Sequence, residues 1–502
     1  MPQSTAPTTV SAAALETRSW LERLWSSIAD RGRPYAHVPE ASAPPLDRAQ
    51  GLAEALLSER GEASGAAVAR ELQATLRGLG AEGRAAFYHL LAAGFGPDQD
   101  SLRNAAEAYL ADPTPELALR LAAAAEPPRQ ELLRRMNMAP GGTAALVAMR
   151  KDVLGLLRAH PGLKTLDADL RHLLASWFNR GFLELRRIDW QTPAAVLEKL
   201  ITYEAVHEIQ GWEDLRRRLA ADRRCFGFFH PALPGEPLIF VEVALTEGLA
   251  SAVQPLLAHD RSGGEDAACE RAALADTAIF YSISNCQEGL RGISFGNFLI
   301  KQVVEELKLE LPRLVRFSTL SPVPGFRRWL ERRLDTATDE AVAASGVAIF
   351  REDEAERLAA AAPDAADAVA AFRTLIGGGE WWRDTARAEV LWTPLLRLCA
   401  EYLTRPNTGE GAAIDPVARF HLGNGARLEC INWLGNTSTR GMKEAFGVMV
   451  NYLYDPNAIE ANHEAFVRSG VVPRSPQVEA LLSPSMPSEP PPKRRLPHIH
   501  GN

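Results

Sequence analysis

"TAIFYSISNCQEGLRGISFGNFLIKQVVEEL", residues 277–307, changes its period in mid-run. The first part, through Ser284, is β-branched and aromatic, which is the composition of a strand. The last part places Leu299, Val303, Val304 and Leu307 at helical spacing, so one face is apolar. Between them stand Gly289, Gly292 and Gly296. Closely spaced glycines let consecutive backbone N–H groups converge, and the helix N-terminus adds partial positive charge. The unit therefore predicts an anion cradle suited to a pyrophosphate, although Gly-rich strand-to-helix turns also serve packing alone. No Lys-Ser/Thr follows the last glycine, so this is not a P-loop, and the spacing differs from a dinucleotide GxGxxG.

Strand-like runs surround this unit. RCFGFFH (224–230) and LIFVEVALT (238–246) flank an LPGEP turn, and RLECINWL (427–434) and VMVNYLY (448–454) come later. Helical segments such as FLIKQVVEELKLELP lie between them, which predicts an α/β domain with a mixed central sheet. Upstream of FLELRRIDWQTP (182–193) the grammar is different. DRAQGLAEALLSERG, AAVARELQATLRGLG, GRAAFYHLLAAGF, SLRNAAEAYLA and PELALRLAAAA each carry one apolar stripe, punctuated by Gly or Pro. That predicts an all-helical bundle whose faces share no charged or His-bearing site, a module for packing or oligomerisation. The chain thus reads as a two-domain α+β protein. The expected divisions are a flexible N-terminus (1–30), a helical oligomerisation domain (31–180), a mixed-sheet domain (181–470) and a Pro/Ser-rich disordered tail (471–502).

Bulk composition excludes several function classes. The chain has 502 residues and a net charge of −8, with no long basic run, so nucleic acid and anionic membranes are not expected partners. The scattered odd set of five cysteines argues against a disulfide framework, and no HExxH or CxxC marks a metal site. Neither a signal peptide nor an apolar run of spanning length is evident, so the expected location is cytoplasmic.

Two further stretches carry chemistry. FSTLSPVPGF (317–326) puts Ser318, Thr319 and Ser321 against two prolines, whose fixed φ angles define the exit from a strand-like VRFSTL run. ARFHLGNGA (418–426) sets His421 ahead of a glycine turn. An imidazole there reads either as a proton carrier near neutral pH or as a core histidine bonded to backbone. Ser318 and Thr319 read as turn and backbone partners, and His207 and His230 as structural.

RGISFGNFLI resembles the Arg/Gln-x-x-Gly-x-Gly/Ala loop with which GNAT-fold (N-acetyltransferase) proteins grip the pyrophosphate of coenzyme A, with Ser294 where the middle glycine usually stands. The ensemble goes further. YEAVHEIQGWEDLRRRL, RRCFGFFHPALPGEPLIFVEVALT, CQEGLRGISFGNFLIKQVVEEL, FSTLSPVPGFRRWL, PVARFHLGNGA, INWLGNTSTRG and VMVNYLY resemble, in order, the blocks of the malonyl-CoA decarboxylase family.

The resemblance implies a GNAT-like catalytic domain, behind a helical domain, that converts malonyl-CoA to acetyl-CoA and carbon dioxide in fatty acid metabolism. It implies no metal and no organic cofactor, coenzyme A being part of the substrate, and a homotetramer. By position Arg291, Gly292, Ile293, Ser294, Phe295, Gly296 and Asn297 form the pyrophosphate loop, and Ser321, His421 and Tyr454 form the catalytic set. Loss of carbon dioxide leaves a thioester enolate, so aimed donors for oxyanion charge and a proton for carbon are the chemistry required. On this reading Ser321 supplies a hydroxyl to the substrate and His421 protonates the α-carbon. The rival readings are an N-acetyltransferase, which needs an amine acceptor, and an acyl-CoA-binding protein without turnover.

Overall fold

The computed structural model describes residues 20–36, 38–40, 42–58, 61–258, 264–293, 299–336, 349–404 and 415–483. It divides into two compact units. The first comprises Met1–Ala205, Phe226–Phe240 and Ser284–Gly296, and the second Val206–Cys225, Val241–Ile283 and Asn297–Asn502. Among the described residues no helix is long and apolar enough to cross a membrane.

Helices dominate the first unit. Pro45–Ser58, Glu62–Gly78, Ala81–Gly94, Gln99–Ala111, Pro115–Ala125, Pro128–Asn137, Gly142–Leu156 and Lys164–Trp177 follow the apolar periods of the sequence. Starts are set locally: Asp98 accepts from Ser101 N (2.9 Å), and Thr114, just before Pro115, accepts from Leu117 N (3.3 Å). The inward stripes build one core with Leu52, Leu72, Phe87, Leu132, Leu146 and Leu170. Two arginines cross this apolar interior with partners: Arg129 with Asp169, and Arg150 with Asp167 (2.9 Å).

Both expected flexible ends need correction within the described residues. Trp20–Gly32 is a helix, because Ala29 is fully buried and Asp30 pairs with Arg70 at 2.5 Å. A Cβ on Gly32 would stand 1.8 Å from Ala63 O, so the absence of a side chain permits the close approach. At the other end Pro476–Leu482 is helical, with Val478 fully buried. Leu428 N donates to Pro473 O and Ser475 N to Leu428 O (2.9 Å each), which ties the tail to a strand. Residues 484–502 lie outside the described residues.

The expected mixed sheet is present. Its strands are β1 (Glu184–Ile188), β2 (Arg223–Phe229), β3 (Pro237–Thr246), β4 (Thr277–Asn285), β5 (Arg316–Thr319), β6 (Ser321–Pro322), β7 (Arg427–Asn432) and β8 (Met449–Leu453). Within the second unit β4 and β5 are parallel, with Thr277 opposite Arg316 and Phe280 opposite Thr319. β8 runs antiparallel to β5, β6 and β7, pairing Ser318 with Leu453, Ser321 with Val450 and Ile431 with Val450. The helix Leu299–Glu310 buries Leu299, Val303, Val304 and Leu307, the face read from its period. Thus the sequence alternation becomes a sheet in which one strand, β8, is shared by three neighbours.

Candidate active site

The site begins at a defect in the sheet. β5 and β6 both lie along β8, but the ladder is interrupted between the Ser318–Leu453 and Ser321–Val450 pairs. Side chains take over the backbone groups left there, as buried polar groups require. Tyr452 N donates to Thr319 Oγ1 (3.1 Å), and Asn451 Nδ2 donates to Thr319 O (2.7 Å) and Ala250 O (3.1 Å). Asn451 Oδ1 in turn accepts from Asn432 Nδ2 (2.6 Å). Ser318 bonds backbone, donating to Tyr452 O (3.2 Å) and Thr319 O (3.3 Å), but it does so from within strand β5 and not from a turn.

Ser321 follows this break and faces a different element. Its Oγ lies 3.1 Å from His421 Nε2 and donates to Thr319 Oγ1 at 2.9 Å. His421 sits in the last turn of the helix Pro416–Gly423. The helix begins at Asp415, whose Oδ1 accepts from Val417 N (2.9 Å) and Ala418 N (3.3 Å). Asp415 Oδ2 reaches the segment that follows Ser321, accepting from Gly325 N (3.0 Å) and from Tyr402 (3.3 Å). One buried carboxylate therefore anchors both the His421 helix and the turn after Ser321. Gly325 must lack a side chain there, since a Cβ would stand 2.2 Å from the Tyr402 hydroxyl.

Tyr454, just beyond β8, closes the far side of the imidazole: its hydroxyl is 2.8 Å from His421 Nδ1. Tyr452 stacks on the same ring, with centroids 4.8 Å apart and planes at 22°. Ser321, His421 and Tyr454 are all buried. Burial pushes the His421 pKa down to about 3 and raises that of Tyr454 well above its ordinary value. Both groups are therefore neutral at physiological pH.

A neutral imidazole has one N–H, so its two hydroxyl neighbours must differ in role. With Ser321 donating to Thr319, Nε2–H points at Ser321 Oγ and Nδ1 accepts from Tyr454. The bonds then run in one direction: Tyr454 to His421 to Ser321 to Thr319. This arrangement can carry a proton along its length without creating a charge at rest.

The structure thus brings together Ser321, His421 and Tyr454, named from separate stretches. It also reassigns Thr319: rather than a backbone partner alone, it is the acceptor at the end of the chain. Sequence reasoning does not single out Asn451, Thr319 or Asp415 as site residues. The signals available are the Asn inside the apolar VMVNYLY strand and the Asp-Pro pair that opens the His421 helix.

Of the expected pyrophosphate loop, Arg291, Gly292 and Ile293 are described, and Ser294, Phe295, Gly296 and Asn297 lie outside the described residues. Gly292 has φ +77°, a left-handed conformation natural to glycine, and Ile293 is buried. His230 has the structural character expected: its Nδ1 accepts from Ala232 N (3.1 Å) and its ring lies 4.7 Å from Phe178. His207 is buried, and desolvation with nearby arginine charge lowers its pKa to about 4. Cys225, Cys286 and Cys399 are buried, Cys430 is half-buried and Cys269 is exposed.

Comparison with known proteins covers nearly all of this framework. The profile of the malonyl-CoA decarboxylase C-terminal domain matches residues 181–490, and that of the malonyl-CoA decarboxylase N-terminal domain matches residues 95–178. Malonyl-CoA decarboxylase, mitochondrial, of Anser anser anser is 39% identical over 361 residues, 71% of this chain and 70% of the relative. The Rattus norvegicus protein of that name is 35% identical over 412 residues, covering 80% and 82%. Among solved structures, the crystal structure of malonyl-CoA decarboxylase from Rhodopseudomonas palustris is 49% identical with a TM-score of 0.76, covering 87% of this chain and 99% of that one. The Agrobacterium vitis structure matches at 49% identity with a TM-score of 0.75 and the same coverage.

Proposed function

This chain belongs to the malonyl-CoA decarboxylase family, and we propose that the hydrogen-bonded line Tyr454–His421–Ser321–Thr319 is where it works. The protein is a carboxy-lyase that splits malonyl-CoA into acetyl-CoA and carbon dioxide. The observation that carries the site assignment is the geometry of this line: groups 33 to 100 residues apart in sequence meet through contacts of 2.8 and 3.1 Å around an imidazole held neutral by burial.

The chemistry stems from that neutrality. The C–C bond to the carboxylate breaks and its electron pair moves into the thioester carbonyl, giving an enolate. Ser321 O–H turns from Thr319 to the developing enolate oxygen, while Nε2–H supports its Oγ. A donor placed this way in a dry site lowers the barrier by ~3–4 kcal/mol. Ser321 then gives its proton to the α-carbon and takes one from His421 Nε2, while Tyr454 protonates Nδ1, which leaves the imidazole neutral in its other tautomer. The tyrosinate left behind is disfavoured by burial, so as products leave Nδ1 returns its proton to Tyr454 while a solvent proton, entering from the substrate side through Ser321, reaches Nε2 and restores the resting tautomer. On this reading His421 supplies the α-carbon proton through Ser321 rather than directly, in keeping with an imidazole held neutral by burial.

Arg291 to Asn297 hold the pyrophosphate of the coenzyme A thioester. The thioester carbonyl is itself the electron sink, so neither metal nor organic cofactor is required. The active form is a homotetramer in the cytoplasm, although the avian and rodent relatives are named mitochondrial. Nucleic acid is not a partner.

One assay tests the assignment: purified protein with malonyl-CoA alone, followed by acetyl-CoA release, with Ser321→Ala and His421→Asn beside it. Amine-independent turnover that collapses in both variants is expected; near-normal turnover in both, with folding intact, sinks the Ser–His assignment. Dialysis against EDTA should leave the rate unchanged, and sedimentation should return the mass of four chains.

A further inference from the structure

The helical region, read from sequence as having no charged site, carries a cavity of about 420 Å³ lined by Arg84, Lys151, Asp152, Leu154, Glu288 and Arg291 among others. That volume is within the range of small-ligand sites. All of these residues belong to the first unit.

The charges on its wall are unevenly satisfied. Asp152 accepts from Arg84 Nε (2.9 Å) and from the Tyr88 hydroxyl (3.0 Å), so this carboxylate is already neutralised. Lys151 pairs with Glu288 at 3.0 Å, but both side chains are more than half exposed, and such a pair is weak enough to yield to a stronger anion. Among the described residues Arg291 has no carboxylate within bonding distance. The wall thus offers three cations against two carboxylates.

The cavity is also fixed against the start of the glycine-rich loop. Arg150, 2% exposed, donates from Nη1 to Gly289 O at 2.7 Å. A Cβ on Gly289 would lie 2.0 Å from Val147 O, so this turn is pressed directly on the helix Gly142–Leu156. Two residues later Arg291 lines the cavity and opens the loop.

We propose that this cavity takes the 3′-phosphorylated adenosine end of the coenzyme A thioester. The phosphomonoester meets Lys151 and Arg84, and the adenosine lies along the Leu154–Leu156 wall. The inference rests on the reading of Arg291–Asn297 as the pyrophosphate loop, because in that molecule the nucleoside is bonded directly to the pyrophosphate. A phosphomonoester carries nearly two charges at neutral pH, more than the Glu288 carboxylate that it displaces from Lys151. The helical region then has a binding role besides packing.

The test compares three substrates: malonyl-CoA, malonyl-3′-dephospho-CoA and malonyl-pantetheine. The wild-type KM should be lower for malonyl-CoA than for its 3′-dephospho form by about tenfold or more, as charge-assisted contacts to Lys151 and Arg84 imply. In Lys151→Ala that ratio should shrink towards one; the side chain is exposed, so the variant should fold, which its melting curve checks. Equal KM for the two nucleotides in wild type, or an undiminished ratio in both Lys151→Ala and Lys151→Glu, overturns the proposal. If both nucleotides still outperform malonyl-pantetheine, the loop reading survives that failure. If all three behave alike, the loop reading falls with it.

Discussion

In the helical region Arg129 meets Asp169 and Arg150 meets Asp167, whereas around Ser321 the buried groups are hydroxyls, amides and a neutral imidazole. Each group named here has a partner, but the two sets differ in what a missing partner would leave behind. An arginine–carboxylate pair strands a charge when broken, which makes it a strong restraint on geometry. A line of neutral donors strands only a dipole, and its hydrogens can turn to a new acceptor at little cost. The helical region uses the first kind to hold helices in place. The line around Ser321 is of the second kind, which suits the proposed reaction: on that reading charge develops there only as the substrate loses carbon dioxide.

The largest expected effect breaks the charged side of this comparison. Arg129→Met leaves the Asp169 carboxylate buried with Gln130 as its remaining side-chain donor. A loss of ~3–5 kcal/mol in urea unfolding is expected, with much of it recovered in Arg129→Met/Asp169→Leu. Recovery would show that the stranded charge, not the lost packing, sets the cost.

Ser321→Ala addresses the neutral side. It should cut kcat by about 10²–10³-fold while changing stability by less than ~1 kcal/mol. A comparable loss of stability, or an unchanged kcat, would remove the distinction between the two regions.

Asp415 is the point where a charge supports the neutral line. Asp415→Asn can retain the Oδ1 cap, but it turns an N–H₂ towards Gly325 N–H and the Tyr402 hydroxyl. A cost of ~1–3 kcal/mol is expected, with a fall in kcat and little change in KM, since the cap positions His421 and the turn after Ser321. A KM effect without a kcat effect would contradict that role.

The last effect is small per pH unit and appears as a slope. His421 binds fewer protons folded than unfolded between its depressed pKa of about 3 and the ordinary 6.5. Stability is therefore fully present above about pH 6.5, falls as pH drops below it, and stops falling near pH 3. The slope is at most ~1.4 kcal/mol per pH unit for this group. His207 and His230 are depressed as well, so the measurable quantity is the difference between wild type and His421→Gln. An identical slope in the two proteins would mean that His421 is not held neutral.

The molecule is legible in its sequence to different depths. The helices from Pro45 to Trp177 and the inward face of Leu299–Glu310 follow from apolar period, a property of neighbours along the chain. Ser321, His421 and Tyr454 are marked by the family's blocks, and the fold places them in one line. Thr319 and Asp415 do not read as site residues, because each also bonds a partner far along the chain: Tyr452 N lies 133 residues from Thr319 and Gly325 N 90 residues from Asp415. The helix at Trp20–Gly32 escapes sequence reading for the same reason: what holds it is Ala63 against Gly32 and Arg70 against Asp30, not its own start signals.

By itself the sequence determined the strand–glycine–helix unit, the all-helical first region, the proline-marked turn that follows Ser321 and the membership of the chain in its family. Those are consequences of short-range sterics, turn chemistry and periodicity, or of ordered motifs. The tertiary structure alone decided that His421 is neutral, that its two nitrogens face different hydroxyls, and that Gly289 sits on the helix bearing Lys151. Desolvation and hydrogen-bond partnership depend on what surrounds a group in space, and residues far apart in the chain supply those surroundings only after it folds.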